Sequence, residues 1–227
     1  MNTYKKEGTI KGELVVDGDL ILTGNLLVEK AIDVKGSIDC AGYSIKADYS
    51  IEAGSFIEAG SFIEAGSFIK AGSFIKADYS IKAGSFIEAV SSIKAGDSIE
   101  AGGFIKADYS IEAGYSIKAD YSIKAGDSIE AGSFIEAGSF IEAGSFSGIS
   151  AGLYITAKET VSCGLKVFAG IGVWREITDA EKTITCSKLE KGNVAYGLLK
   201  ETGITPSLSG KEVSVTVDGK TYTAVIK

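Results

Sequence analysis

The 227-residue chain has no histidine, a single proline, one tryptophan and one methionine. The missing histidine excludes most, since it removes Ser-His and Cys-His nucleophile pairs and every imidazole metal site. Three cysteines, Cys40, Cys163 and Cys186, are widely spaced, odd in number and without a C-x-x-C. They read as buried thiols in a reducing cytoplasm rather than as a zinc centre or a disulfide framework. No apolar run approaches the ~18 residues of a membrane span. Met1-Asn2-Thr3-Tyr4-Lys5-Lys6 leads into no signal-like segment, so the expected location is cytoplasmic. No threonine falls between Asn25 and Ile155, which removes a threonine ladder of the ice-binding kind. Asp17-Gly18-Asp19 lacks the further ligands of a calcium site and reads as a turn. Neither a metal nor a cofactor is expected.

What is present is glycine, 29 residues of it, in an acidic chain of net charge -7. Between Gly42 and Phe146 eight lysines face fifteen carboxylates, so the whole excess lies in this segment. That sign disfavours direct binding to nucleic acid or to an anionic membrane.

Isoleucine recurs every six residues from Ile45 to Ile141, seventeen times without a slip. A helix would scatter a six-residue repeat around its sides. An extended chain keeps parity over six residues, so all the isoleucines face one interior. Ala follows two places later, with Glu or Lys between: Ile51 and Ala53 point in, Glu52 points out. Stacked coils with an apolar interior follow, an all-β parallel β-solenoid. The segment Leu20-x-Leu22, Leu26-x-Val28, Ile32-x-Val34, Ile38-x-Cys40 repeats the pattern with larger residues. The step from Ile38 to Ile45 is seven, which places one extra corner residue near Gly42.

The outward charges give the coil length, because opposite signs belong on neighbouring coils. At a separation of 18 residues 11 of 14 pairs are opposite, against 7 of 15 at 12 and 6 of 13 at 24. The column Lys46, Glu64, Lys82, Glu100, Lys118, Glu136 alternates throughout. Three hexads per turn make a triangular β-helix of about 18 residues per coil. Residues 10–155 then form about eight coils, a rod of roughly 38 Å at ~4.8 Å per coil.

"GDLILTGNLLVEKAIDV", residues 18–34, resembles the bactofilin-type triangular β-helices, over residues 8–40 well and over the array more loosely. That resemblance implies a right-handed, polymer-forming scaffold rather than an enzyme, and carries over no functional residue. Units such as "IEAGSF" are also similar to the left-handed hexapeptide pattern, whose members are mostly acyltransferases or carbonic anhydrases dependent on histidine. Tyr49, Tyr79, Asp97 and Asp127 at the fifth place violate that version, so right-handed winding is favoured.

Two variable places precede each Ile, and fifteen of eighteen hexads from Tyr43-Ser44 to Ser145-Phe146 put one aromatic ring there, never two. Phe takes the second place nine times and Tyr the first place six times. Two readings stand: rings that cover the corner backbone, or an aromatic surface for a protein partner. The candidate contact residues are Phe56, Phe62, Phe68, Phe74, Tyr79, Tyr109, Tyr115 and Tyr121. "KADYSI" recurs at 46, 76 and 106, a spacing of 30, so duplicated copies land on different faces. A one-sided ladder for a regular ligand is therefore disfavoured.

The expected division is a solenoid over 1–170, with its regular array at 43–146, and a C-terminal capping or interaction region over 171–227. In the latter, Thr178-x-x-Glu181 is a capping box, "SKLEKGNVAYGLL" reads as a hairpin, and "EVSVTVDGKTYTAVIK" as a second one turning at Asp218-Gly219. The N-terminal coil has only a short polar segment to cover it, which predicts a homodimer through that end. Function is expected to be structural and non-enzymatic, an acidic rod that binds protein. The alternative is a phage anti-defence type of inhibitor occupying the nucleic-acid site of its target. Against that, coils repeat at ~4.8 Å and DNA phosphates at ~3.4 Å per strand.

Overall fold

A computed structural model of the chain describes residues 2–172, 175–203, 212–217 and 220–225. Each hexad forms one three-residue strand, Ile-x-Ala, and a three-residue corner, as in Ile63–Ala65, Ile69–Ala71 and Ile75–Ala77. We name faces A, B and C after these three strands. Ile63 pairs in parallel with Ile45 below and Lys82 sits opposite Glu64 above, so each coil takes 18 residues. The same register holds on faces B and C. Twenty-eight strands form one continuous wound sheet, and the coils number about eleven.

The physical cause is the alternation within each strand. Every isoleucine from Ile45 to Ile141 is fully buried, and the alanines two places on are nearly so. Burying an isoleucine stabilises by about 1.5–3 kcal/mol, and each regular coil buries three. Backbone hydrogen bonds continue through the corners: Gly84 N–H donates to Ala65 O (3.0 Å) and Ser85 N–H to Ser67 O (2.7 Å). A Cβ on Gly84 would run into the carbonyl oxygen of Gly66 one coil below, which explains glycine at this corner.

The larger departures from 18 residues fall at corners, while one-residue bulges between Val161 and Ser162 and between Val167 and Phe168 interrupt the last pairing within its strands. Leu26 pairs with Ile45, one residue more, and the extra residue lies where Ala41 takes φ 48°, the one non-glycine residue with positive φ among those described. This is the bulge expected near Gly42. Ile129 pairs with Ile149, two residues more, and Phe146 in that corner is 90% exposed. Ile155 pairs with Ile184, eleven residues more, because the chain leaves the wall after Ala169 and returns at Thr183. Within this excursion Glu181 accepts hydrogen bonds from the Thr178 N–H (3.1 Å) and hydroxyl (2.8 Å), ahead of the 3-10 turn Ala180–Lys182. Only the Glu181 half of the expected capping box forms: the Thr178 hydroxyl donates to the carboxylate instead of accepting from the Glu181 N–H, and the turn has no side-chain cap.

The region after residue 170 corrects two expectations. "SKLEKGNVAYGLL" is not a hairpin: Lys188–Tyr196 pairs in parallel with Thr160–Ala169, and Leu198–Glu201 with Thr183–Cys186. The coils therefore run to Glu201, and the rod is roughly 50 Å long at ~4.8 Å per coil rather than 38 Å. Gly192 and Gly197, with φ of 93° and 112°, turn the corners that the sequence suggests are hairpin ends. The second hairpin is present as Glu212–Val217 antiparallel to Lys220–Val225, while its expected turn at Asp218-Gly219 lies outside the described residues.

Candidate interaction surface

The sides of the rod carry two kinds of ladder, one charged and one aromatic. The charged ladder stands at the outward residue of every strand from Ile45–Ala47 to Ile141–Glu142. Lys46–Glu64 (2.9 Å), Lys76–Glu58 (2.6 Å), Lys94–Glu112 (2.7 Å), Lys106–Glu88 (3.1 Å) and Lys124–Glu142 (3.0 Å) all join neighbouring coils. Hydrogen bonds to these carboxylates raise the pKa of Lys46, Lys76 and Lys106 above the ordinary lysine value. Exposed pairs of this type add little stability each. Their effect is on register, because a slipped coil would set like charges side by side. Like pairs do occur at Lys76 with Lys94, Lys106 with Lys124, and Glu112 with Glu130.

The aromatic ladder stands at the corners, and it divides the eight candidate contact residues. Phe56 and Phe74 stack with ring centroids 5.0 Å apart at the B–C corner. Phe68 stacks on Phe86 at 4.8 Å, and Phe86 on Phe104 at 4.9 Å, at the A–B corner. These phenylalanines are half-buried. Phe62, by contrast, is 47% exposed. Tyr79, Tyr109, Tyr115 and Tyr121 stand away from the wall, between 54% and 61% exposed. Tyr115 alone of these four meets another ring, edge-on against Phe134 at 6.1 Å.

Parallel stacking turns ring faces toward one another along the axis and leaves edges outward. Sugars and nucleobases are held by ring faces, so the Phe ladders offer them little. The exposed tyrosines are the rings with apolar area and a hydroxyl free for a protein partner.

Two features were missed from the sequence. The A–B corner carries a ring in six consecutive coils, Tyr49, Phe68, Phe86, Phe104, Tyr121 and Phe140, so one edge of the rod does accumulate aromatics. Counting at the 18-residue spacing would have exposed this. The second is Tyr154, stacked on Phe134 at 5.1 Å with its hydroxyl donating to Glu136 at 2.8 Å. Burial, and then that carboxylate, push its pKa to about 12.

The excursion between Ala169 and Thr183 gives the rod its most irregular side. Ile171 lies beside a groove of about 390 Å³ on face C, floored by Gly114 and Gly132 and edged by Lys94, Glu112 and Glu130. Arg175 and Glu181 clamp the excursion through two contacts of 2.5 and 3.0 Å, which hold the Glu181 carboxyl down at about 2.

The three thiols are free and buried, and burial pushes Cys40 to about 12 and raises Cys163 and Cys186. Among the described residues, no cluster of three or more Cys, Asp or Glu stands ready to hold a metal ion. Nor is any helix among them long and apolar enough to cross a membrane. No family model, curated protein or solved structure matches the chain, so the likeness to bactofilin-type scaffolds rests on its sequence pattern alone and what is shown is a parallel β-solenoid.

Proposed function

We propose that the chain is a non-enzymatic scaffold, an acidic rod that self-associates as a dimer and offers its sides to a protein partner. The observation that carries this reading is the closed construction of the wall. One 28-stranded sheet winds from Thr3 to Glu201, and fourteen of the seventeen outward Lys and Glu of its regular array pair one coil with the next. The same pairing favours a scaffold over an inhibitor occupying a nucleic-acid site. Lysine stands beside most carboxylates of the lattice, so no column offers an unbroken acidic series resembling a phosphate backbone.

Self-association is proposed at the N-terminal coil. Strand Thr3–Ile10 pairs on one side only, with Asp19–Val28, and is exposed along nearly its whole length. An open edge of eight residues invites an antiparallel partner from a two-fold related copy. Lys6 limits that contact. It lies over the buried Leu22, in the column that faces inward elsewhere, and a charge in that place opposes burial. The dimer is accordingly weak, and Lys6→Leu tightens it.

Sedimentation equilibrium across a concentration series tests both statements. A monomer–dimer equilibrium that shifts toward dimer in Lys6→Leu supports the reading. Monomers at every concentration in both chains overturn the dimer, and filaments in electron micrographs overturn its closure.

A further inference from the structure

We infer that the C-terminal hairpin, Glu212–Val217 with Lys220–Val225, is a lid that docks on the open C-terminal coil of its own chain. The coil needs a cover. Leu189, Val194 and Leu199 continue the inward columns of Val161, Val167 and Ile184, but among the described residues no strand lies above them. Val161, Val167 and Ile184 beneath them are fully buried, whereas Leu199 is 42% exposed and Leu189 and Val194 are only half-buried. The interior of the rod is therefore open at this end, beside the unpaired outer edge of Leu198–Glu201.

The hairpin needs a support. Among the described residues it is a two-stranded sheet with no third strand, an arrangement that is marginal in water when it stands alone. Its sequence alternates valine with serine and threonine in "EVSVTV", the pattern of a sheet with one apolar side. Val213 pairs with Ala224 and Val215 with Tyr222, while Val217 stands opposite Lys220 and Val225 opposite Glu212, so the apolar pairs are confined to the middle of the hairpin.

Chain length selects the occupant. Thr202 and Gly203 are held to the rim by hydrogen bonds from their N–H groups to Cys186 O (2.7 Å) and Ser187 O (3.0 Å). Residues 204–211 then span at most about 27 Å, enough to cross the end of the rod. The far end, roughly 50 Å away by coil spacing, is out of reach. A short tether gives the hairpin an effective concentration on the order of millimolar over its own coil, which a second copy matches only in concentrated solution. The lid is independent of the proposed dimer, and its test reads the opposite end.

The test uses the full chain carrying Leu199→Cys and Val215→Cys, oxidised gently at low protein concentration. The expected product is an intrachain disulfide in a monomer-sized band, absent from either single variant. A bond between chains assigns the surface to a second copy and overturns the lid, as does a folded chain that forms no bond. Hydrogen exchange in Val215→Asp supplies a second reading that needs no cross-link. Amides of residues 188–201 are expected to exchange about tenfold faster, with the middle of the rod unchanged. Unaltered exchange at that end overturns the inference.

Discussion

Phe86 lies face to face with Phe68, ring centroids 4.8 Å apart and planes within 1° of parallel, and Phe104 continues the stack on its other side. The central ring thus has both faces covered. Phe86→Ala is expected to destabilise the rod by about 1–3 kcal/mol, through lost apolar burial and two lost stacking contacts. Phe62→Ala, at a ring that is 47% exposed, should cost less. Urea titrations of the two variants make the comparison, and an equal cost would contradict the structural role assigned to the ladder.

The B–C corner contains a missing rung. Phe74 stacks on Phe56, but one coil further along Ser92 replaces the ring. Ser92→Phe is expected to extend the stack and raise the melting temperature, with about 0.5–1.5 kcal/mol from the new aromatic pair. A lower melting temperature would mean that this corner is packed differently from the A–B corner.

Lys118 stands between Glu100 and Glu136 in the alternating column. Lys118→Glu puts three carboxylates in line and is expected to cost about 0.5–1 kcal/mol at low salt. Much of that loss should disappear at 0.5 M salt, because exposed charges are screened. Thermal melts at the two ionic strengths check it, and a salt-independent loss would point to packing instead.

Alkaline pH should weaken the rod through its thiols. Burial raises Cys40 to about 12 from an ordinary value of 9.0, and moves Cys163 and Cys186 in the same direction. A group whose pKa is higher folded than unfolded stabilises fully below the unfolded value, and that contribution is lost as pH rises toward the folded value. Stability should fall between pH 9 and 12, and Cys40→Ala should flatten the fall. Alanine occupies the corresponding inward place in the regular hexads, so the replacement fits the wall. Denaturation midpoints from pH 8 to 11 read the slope, and identical slopes would remove Cys40 as a cause.

The array was legible because each hexad repeats one physical statement: Ile and Ala in, a charge out. Coil length was legible because charge signs keep a record of which residues become neighbours. Lys46 and Glu64 predict a contact that the structure places at 2.9 Å. The last coils were harder to read. Inward residues there become Val161, Cys163, Val167, Ile184 and Cys186, and the excursion, which adds eleven residues to its coil, breaks the count between them. Positive-φ glycines at 192 and 197 have the same appearance in a coil corner as in a hairpin turn. The ring column at the A–B corner was also hidden, since duplication by five hexads sends each copy of a motif to a different edge.

The three-sided coil has a consequence for how such a chain changes length. A hexad gained or lost keeps every isoleucine in the interior, since any hexad can occupy any side. It also turns everything beyond it by a third of a revolution. The excursion at Gly170–Lys182 would then leave the wall on another side, facing a new direction relative to strand Thr3–Ile10. Repeat number is therefore a setting of azimuth as much as of reach, and only multiples of three hexads lengthen the rod without re-aiming its far end.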